Sequence, residues 1–233
     1  MSATKNRNGK ARQSKVKRLP LSRDVIVAVS REIIINEGHE ALSLRNLGAH
    51  LNVTAAALYA YVDDKLDLLR AVAASEFERL IRQYEGVGGE EPIARLCKIS
   101  YVYVDYARNN PELFRVMFLF PPGVGDPEYG ESNTFADRAF RSVAKIAEEA
   151  IEQGKLRPGD PLLTSVTIWS AVHGVANVVL MGAPVGRKRE DLLIMSVVTN
   201  ILRGLAPAGS PTAKILSDLG TDMPRIASDR LTR

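Results

Sequence analysis

The stretch SLRNLGAHLNVTAAALYAY, residues 43–61, decides the fold. Ser43 can cap a short helix through its hydroxyl group, and Thr54 can cap a second helix. Between them lies Asn52, a residue type second only to glycine in tolerating the left-handed backbone of a tight turn. Two helices joined by such a turn form a helix-turn-helix, whose second helix enters the major groove of DNA. The pattern therefore predicts a DNA-binding motif.

The second helix of this motif begins with three alanines, Ala55, Ala56 and Ala57. Small side chains let a helix lie deep in the major groove, and alanine methyl groups can contact thymine methyl groups. Alanine is also the strongest helix former, so helix propensity alone is an equally good explanation of each one. Val53 and Leu58 are expected to anchor this helix to the core.

Hydrophobic residues recur at helical spacing on both sides of the motif. Ile26, Val29, Ile33 and Ile34 form one apolar stripe, and Gly38 ends that helix. No segment shows the alternation typical of a strand. Further helices are predicted over about residues 64–84, 91–108, 111–120, 135–153, 161–182 and 189–204. The sequence therefore predicts an all-α protein of about nine helices.

Positive charge is concentrated at the N-terminus. Residues 1–23 hold eight of the 31 Lys and Arg residues and none of the 27 acidic ones, which leaves 23 basic residues against 27 acidic elsewhere. A basic arm on a mildly acidic body suggests an anionic partner for the arm, and nucleic acid is the first choice because bound phosphates release counterions. A solubilising tail is the alternative.

The residue inventory gives no support to catalysis. Cys97 is the single cysteine, which excludes a disulfide framework or a cysteine-rich zinc site within one chain and fits a reducing cytoplasm. His39, His50 and His173 lack the spacing of metal ligands, and no phosphate-binding glycine loop is present. We therefore expect no cofactor, no enzyme activity and a cytoplasmic location. An α-helical enzyme or ligand carrier without DNA binding stays open as the alternative function.

Residues 162–186 contain no Asp, Glu, Lys or Arg. The segment is long enough to span a membrane, but its polar side chains and Pro184 argue against that. A soluble helix that is uncharged all round must be buried on two sides. One side can face its own domain, and the other then needs the same helix of a second subunit. We expect a homodimer with a four-helix interface that also uses residues 189–204; a large monomeric core is the alternative.

Four segments of the chain resemble the DNA-binding domain of the tetracycline-repressor (TetR) family. They are SLRNLG (43–48), LNVT (51–54), ALYAYV (57–62) and KLDLL (65–69). Three positions depart from the family pattern. Gly48 replaces the usual alanine, Asn52 the usual glycine and Val62 the usual phenylalanine.

The resemblance implies which residues contact DNA, and their chemistry agrees. Hydroxyl groups and free amides at helix N-termini suit phosphate oxygens, and a lysine is a point charge for phosphate. Core packing for Tyr59 and Tyr61, and simple solvent exposure for Lys65, are the alternatives. The predicted DNA-binding residues are Ser43, Arg45, Thr54, Ala55, Ala56, Ala57, Tyr59, Tyr61 and Lys65.

Three shorter segments resemble the C-terminal domain of a TetR subgroup marked by Trp-x-x-x-His-Gly. They are YVDYA (103–107), PELFRVMF (111–118) and WSAVHG (169–174). The spacing of Trp169, His173 and Asn177 places these polar-tipped side chains on one helix face. The resemblance implies a pocket for a small-molecule effector, with ordinary core packing as the alternative. Its predicted residues are Tyr103, Tyr106, Met117, Phe118, Trp169, His173 and Asn177.

These observations predict four segments in the chain. They are a disordered basic arm (1–21), a three-helix helix-turn-helix DNA-binding domain (22–69), an effector-binding and dimerisation domain (70–205) and a flexible tail (206–233) with one turn of helix around residues 213–219. The expected function is a dimeric transcription repressor that binds an inverted repeat in double-stranded DNA. The expected partners are this DNA, a second copy of the chain and a small-molecule effector, without a membrane.

Deleting residues 1–18 removes seven cations and is expected to weaken DNA binding while folding and dimerisation stay unchanged, because such arms follow the backbone or enter the minor groove. Affinity for a DNA duplex at low salt, measured before and after truncation, checks this. Equal affinities would show that the arm only improves solubility.

Overall fold

Side-chain caps fix the first three helices. The structure is a computed structural model that describes residues 20–89, 91–122, 135–182 and 186–218. Ser22, Ser43 and Thr54 each accept a hydrogen bond from the backbone amide three residues later, which satisfies a donor that the first helical turn leaves free. The helices that follow these caps are α1 (Arg23–Glu37), α2 (Leu44–Leu51) and α3 (Ala55–Leu58).

The turn between α2 and α3 brings two backbone segments unusually close. Asn52 adopts the left-handed conformation at φ 59° and ψ 42°, as the sequence predicted. The Val53 amide then donates to the Gly48 carbonyl at 2.9 Å. A Cβ atom at Gly48 would lie 2.8 Å from the Val53 carbonyl oxygen. Glycine at position 48 therefore allows this close approach, which a Cβ atom would force apart.

The long helix α4 (Lys65–Glu85) starts at the Asp64 cap and runs through two separate cores. Its first half, including Leu68 and Val72, packs with α1–α3 in an N-terminal core. Its second half, including Phe77 and Leu80, packs in a larger C-terminal core. The domain boundary predicted after residue 69 therefore falls inside one continuous helix.

Five further helices follow before a last short helix at residues 212–218. α5 (Pro92–Asn109) is central, since it packs against α7, α8 and α9 as well as α4 and α6. Each part of the described chain that has regular structure is helical, so the all-α fold is confirmed. The remaining helices are α6 (Pro111–Leu119), α7 (Phe135–Glu152), α8 (Pro161–Leu180) and α9 (Arg187–Leu205).

The first part of the predicted flexible tail is packed against the domain, which corrects that prediction for residues 206–218. Residues 212–218 are helical. The buried Thr212 hydroxyl donates to the Lys155 carbonyl at 2.7 Å, and Leu216 is buried in the C-terminal core. One polar contact and one apolar anchor hold the segment. The rest of the tail, and residues 1–19 of the basic arm, lie outside the described residues.

Gly48→Ala is expected to destabilise the protein by about 1–3 kcal/mol, because the new methyl group meets a backbone oxygen that cannot move without opening the turn. Asn52→Gly in the same turn is the control, and it should cost nothing because glycine adopts the left-handed conformation freely. Urea unfolding of both variants checks this. A Gly48→Ala variant as stable as the parent would mean that the turn is looser than described.

Candidate DNA-binding and ligand-binding sites

One face of α3 is open to solvent and the other holds the helix in place. Leu58 is fully buried in the N-terminal core. Thr54, Ala56, Ala57 and Tyr59 are exposed, and 61% of the Tyr59 surface is accessible. A large aromatic residue with that exposure is available to a partner. This surface has the shape that entry into a DNA groove requires.

The other predicted DNA-binding residues differ in their exposure to solvent and in their contacts within the chain. Arg45 is exposed on α2, whereas Ala55 is half-buried. The Lys65 ammonium donates to the Glu40 carbonyl at 3.1 Å, so the cation is held at the edge of the motif. Tyr61 is half-buried and packs on the N-terminal core. Packing thus accounts for part of the Tyr61 side chain, and its contact with DNA stays a prediction.

An ion pair that the sequence analysis missed ties the start of α1 to the start of α4. The Arg23 guanidinium donates to both Asp67 carboxylate oxygens, at 2.6 and 3.1 Å, and to the Tyr61 carbonyl. Burial would raise the Asp67 pKa, but hydrogen bonds from Arg23 and the Asp63 amide hold that pKa below its usual value. The pair fixes the end of the α3–α4 turn.

A cavity of about 230 Å³ lies among α4, α5, α6, α7 and α8. Four of the predicted effector residues line it, namely Tyr103, Met117, Phe118 and Trp169. The walls that α4 and α7 supply were not predicted from the sequence, because only the fold brings those helices to the cavity. The missed aromatic residues are Phe77, Tyr84 and Phe140.

A chain of hydrogen bonds crosses one wall of the cavity. The Trp169 indole N–H donates to the Tyr103 hydroxyl at 3.1 Å, and that hydroxyl lies 2.7 Å from His173 Nδ1. When Nδ1 carries no proton, the Tyr103 hydroxyl accepts from Trp169 and donates to His173. Burial lowers the His173 pKa, which favours the neutral imidazole. His173 is absent from the cavity lining but positions Tyr103 behind it.

Besides His173, two more predicted effector residues lie outside the cavity lining, Tyr106 and Asn177. Tyr106 is on α5 but donates its hydroxyl proton to the Glu76 carboxylate at 2.5 Å. Asn177 is exposed, and its amide donates to the His173 carbonyl one helical turn earlier. The helical spacing put both residues near the right face, yet each polar group has a protein partner elsewhere. Their roles in effector binding therefore stay predictions.

Glu76 is fully buried and is the centre of a charged cluster between the two cores. Besides Tyr106, it accepts from Arg31 Nε of α1 at 2.7 Å and lies 3.3 Å from Arg79 Nε. A buried carboxylate is stable only when such partners compensate for lost hydration. A single acidic residue in the apolar stripe of α4, between Val72 and Leu80, was the signal that could have revealed it.

Two family models match most of the described chain. Residues 26–72 match the model for bacterial regulatory proteins of the tetR family, and residues 96–199 match a tetracyclin repressor-like C-terminal domain. The first match covers the capped helix-turn-helix, and the second covers the helices around the cavity. The chain belongs to the TetR family. It is a DNA-binding transcription regulator.

Two transcriptional regulators of the helix-turn-helix type resemble this chain over 60% or more of its length. It is 26% identical over 201 residues to the uncharacterized regulator Rv0681 of Mycobacterium tuberculosis, which covers 86% of this chain and 87% of that one. It is 26% identical over 149 residues to the transcriptional repressor KstR of Rhodococcus jostii, covering 60% and 70%. The Trp-x-x-x-His-Gly subgroup stays a prediction.

Solved structures share the fold. A protein of unknown function from Rhodococcus sp. RHA1 superimposes with a TM-score of 0.70 at 24% identity, covering 83% of this chain and all of that one. RolR, solved in complex with resorcinol, gives a TM-score of 0.61 at 15% identity, covering 84% and 92%. At these identities the similarity concerns the fold alone.

TetR regulators act as dimers, and this chain has an apolar face suited to that. In the described residues α8 is the one helix long and apolar enough to cross a bilayer, by length and composition alone. One side of α8 is buried in the C-terminal core through Ile168, Val172 and Val175. Exposed apolar residues on α8 and α9 are Leu162, Leu163, Val178, Met181 and Leu192.

The His173 environment predicts a pH dependence of stability. Its folded pKa is lowered, so as pH falls below the unfolded value of about 6.5 the unfolded chain takes up the proton first and stability is lost until pH reaches the folded pKa. Above about pH 6.5 this contribution is fully present.

His173→Gln should remove that component, since the amide oxygen still accepts from Tyr103 but does not titrate. The difference in unfolding free energy between the two proteins, measured from about pH 7.5 to 5, is the observable. Parallel curves would contradict a neutral, buried imidazole in the native state.

Proposed function

We propose that this chain is a cytoplasmic homodimeric repressor, without enzyme activity, which a small molecule in the cavity releases from an inverted-repeat operator. One observation carries the proposal: α6 is part of both cores. Leu113 and Val116 are buried in the N-terminal core, whereas Phe114 and Met117 are buried in the C-terminal core. Nine residues thus connect the cavity with the DNA-binding motif.

The contacts of α6 give a physical route from ligand to DNA. Met117 and Phe118 line the cavity, so a ligand that displaces them shifts α6 as a unit. The same helix packs against α4 and α1. At its start, Glu112 lies 3.7 Å from the His39 ring nitrogen Nδ1 in the loop after α1. A shift of α6 therefore acts on α1, α4 and the loop that leads into α2.

The length of α4 amplifies such a shift. A helix of 21 residues is about 30 Å long, and its first residue, Lys65, lies beside the motif. Two recognition helices in a dimer must be about 34–36 Å apart to enter successive major grooves. A small rotation of each α4 changes this separation. An effector lowers DNA affinity only if it binds the changed arrangement better.

The similar proteins support parts of the proposal. KstR carries the name of a transcriptional repressor, which favours repression over activation here. RolR was solved with resorcinol, which supports a small organic molecule in a domain of this fold. The exposed side chains of α2 and α3 support the DNA assignments of Ser43, Arg45, Thr54 and the alanines, with Tyr59 and Lys65 at the phosphate backbone.

The deciding experiment is selection of bound fragments from a genomic DNA pool, followed by footprinting. The proposal predicts an inverted repeat, protected on both half-sites by one dimer. A protein that enriches no fragment, or that elutes from heparin at low salt, would favour the helical carrier instead. Protection of a single half-site by a monomer would contradict the dimer.

Lys65→Ala should weaken binding to all DNA sequences alike and reduce the slope of log affinity against log salt by about one unit, because one phosphate contact is lost. Tyr59→Phe is the uncharged control and should weaken binding without changing the slope. Salt titrations on the selected operator check both. If Lys65→Ala changes which bases are preferred, its assignment to phosphate is wrong.

A further inference from the structure

All but one of the polar side chains in the cavity wall form hydrogen bonds within the chain. Of its five side chains with an N–H or O–H group, Ser100 and Ser165 donate to backbone carbonyls of Leu96 and Leu162. Trp169 donates to Tyr103, whose hydroxyl also forms a hydrogen bond with His173 Nδ1. These four groups all have hydrogen-bond partners within the chain.

Tyr84, in the last turn of α4, is the exception. Its side chain lines the cavity and the residue is only 6% exposed, yet its hydroxyl has no hydrogen-bond partner in the described part of the chain. Since Tyr84 lines the cavity, the proton of this hydroxyl is available to a molecule that enters the cavity.

The absence of charged side chains from the described cavity lining restricts which molecule can bind beside Tyr84. No Asp, Glu, Lys, Arg or His is in the lining of the described cavity. A charged ligand would therefore lose its hydration without an opposite charge to compensate for it. Six aromatic side chains surround the space instead, which suits a hydrocarbon skeleton and favours rings through edge and face contacts.

The volume of the cavity restricts the size of the ligand. An apolar cavity of about 150 Å³ holds benzene. A cavity of about 230 Å³ is half as large again, which corresponds to roughly nine to twelve non-hydrogen atoms. This is the size of a bicyclic molecule and is below that of most drug-sized ligands.

We infer that the effector is a neutral, largely hydrocarbon molecule of one or two rings, whose single acceptor oxygen receives the proton of the Tyr84 hydroxyl. The inference rests on the proposed effector function and adds the ligand class and the residue that selects it. A ketone or an alcohol has the required oxygen, whereas a carboxylate has the oxygen and the wrong charge.

Three matched probes test the inference by calorimetry. They are 1-tetralone, a bicyclic ketone of about eleven non-hydrogen atoms, its parent hydrocarbon tetralin, and 1,2,3,4-tetrahydro-1-naphthoate. The proteins are the parent, Tyr84→Phe, and the control Tyr101→Phe, which removes a hydroxyl bonded to Asp191 outside the cavity. Thermal melts verify that each variant is folded.

We expect 1-tetralone to bind the parent and the control equally, and to bind Tyr84→Phe about tenfold more weakly, the effect of one lost buried hydrogen bond. Tetralin should bind all three proteins alike. The carboxylate should bind at least about tenfold more weakly than the ketone.

Equal binding of 1-tetralone to the parent and Tyr84→Phe would overturn the inference, as would tight binding of the carboxylate or no binding of ketone and hydrocarbon. Operator affinity is measured on the same samples. A protein that binds the operator but none of the probes refutes the ligand class alone. One that binds 1-tetralone through Tyr84 without any change in operator affinity refutes the proposed release mechanism.

Discussion

The carboxylate of Glu76 stands where α4 passes from one core to the other. It has no contact with solvent, and its charge is compensated by Arg31 of α1 and by the Tyr106 hydroxyl of α5. Removing one partner of a buried ion pair leaves an uncompensated charge and costs about 3–5 kcal/mol. The three groups therefore hold the DNA-binding helices in one orientation on the C-terminal domain, and α4 can act as a rigid rod.

A second connection between the cores is apolar, and the two connections differ in kind. α6 packs through Leu113 and Val116 on one side and through Phe114 and Met117 on the other. Apolar contacts have no fixed direction, so they can slide and repack. The charged cluster, by contrast, depends on hydrogen-bond geometry. We interpret Glu76 as the pivot and α6 as the element that moves beside it when the cavity is filled.

The sequence was sufficient for the parts of the fold that depend on local chemistry. Caps at Ser43 and Thr54 and the left-handed Asn52 follow from the chemistry of single side chains and were confirmed. Contacts between helices that are far apart in the chain could not be predicted from the sequence. Tyr106 is near the cavity on a helical wheel, but Glu76, 30 residues away, binds its hydroxyl. Residues 206–218 have the composition of a linker, and only the fold shows the core site that Leu216 fills.

The central claim is that the content of the cavity sets the position of the DNA-binding motif through α6. It can be tested without an identified effector if a residue in the cavity wall is replaced by a larger one that fills the space. Ala139, on α7, lines the cavity, and Ala139→Phe places a ring in that space while the DNA-binding surface stays intact. With dimerisation verified by sedimentation, we predict that affinity for the selected operator falls about tenfold or more. An operator affinity equal to that of the parent protein, in a folded dimer, would contradict the account.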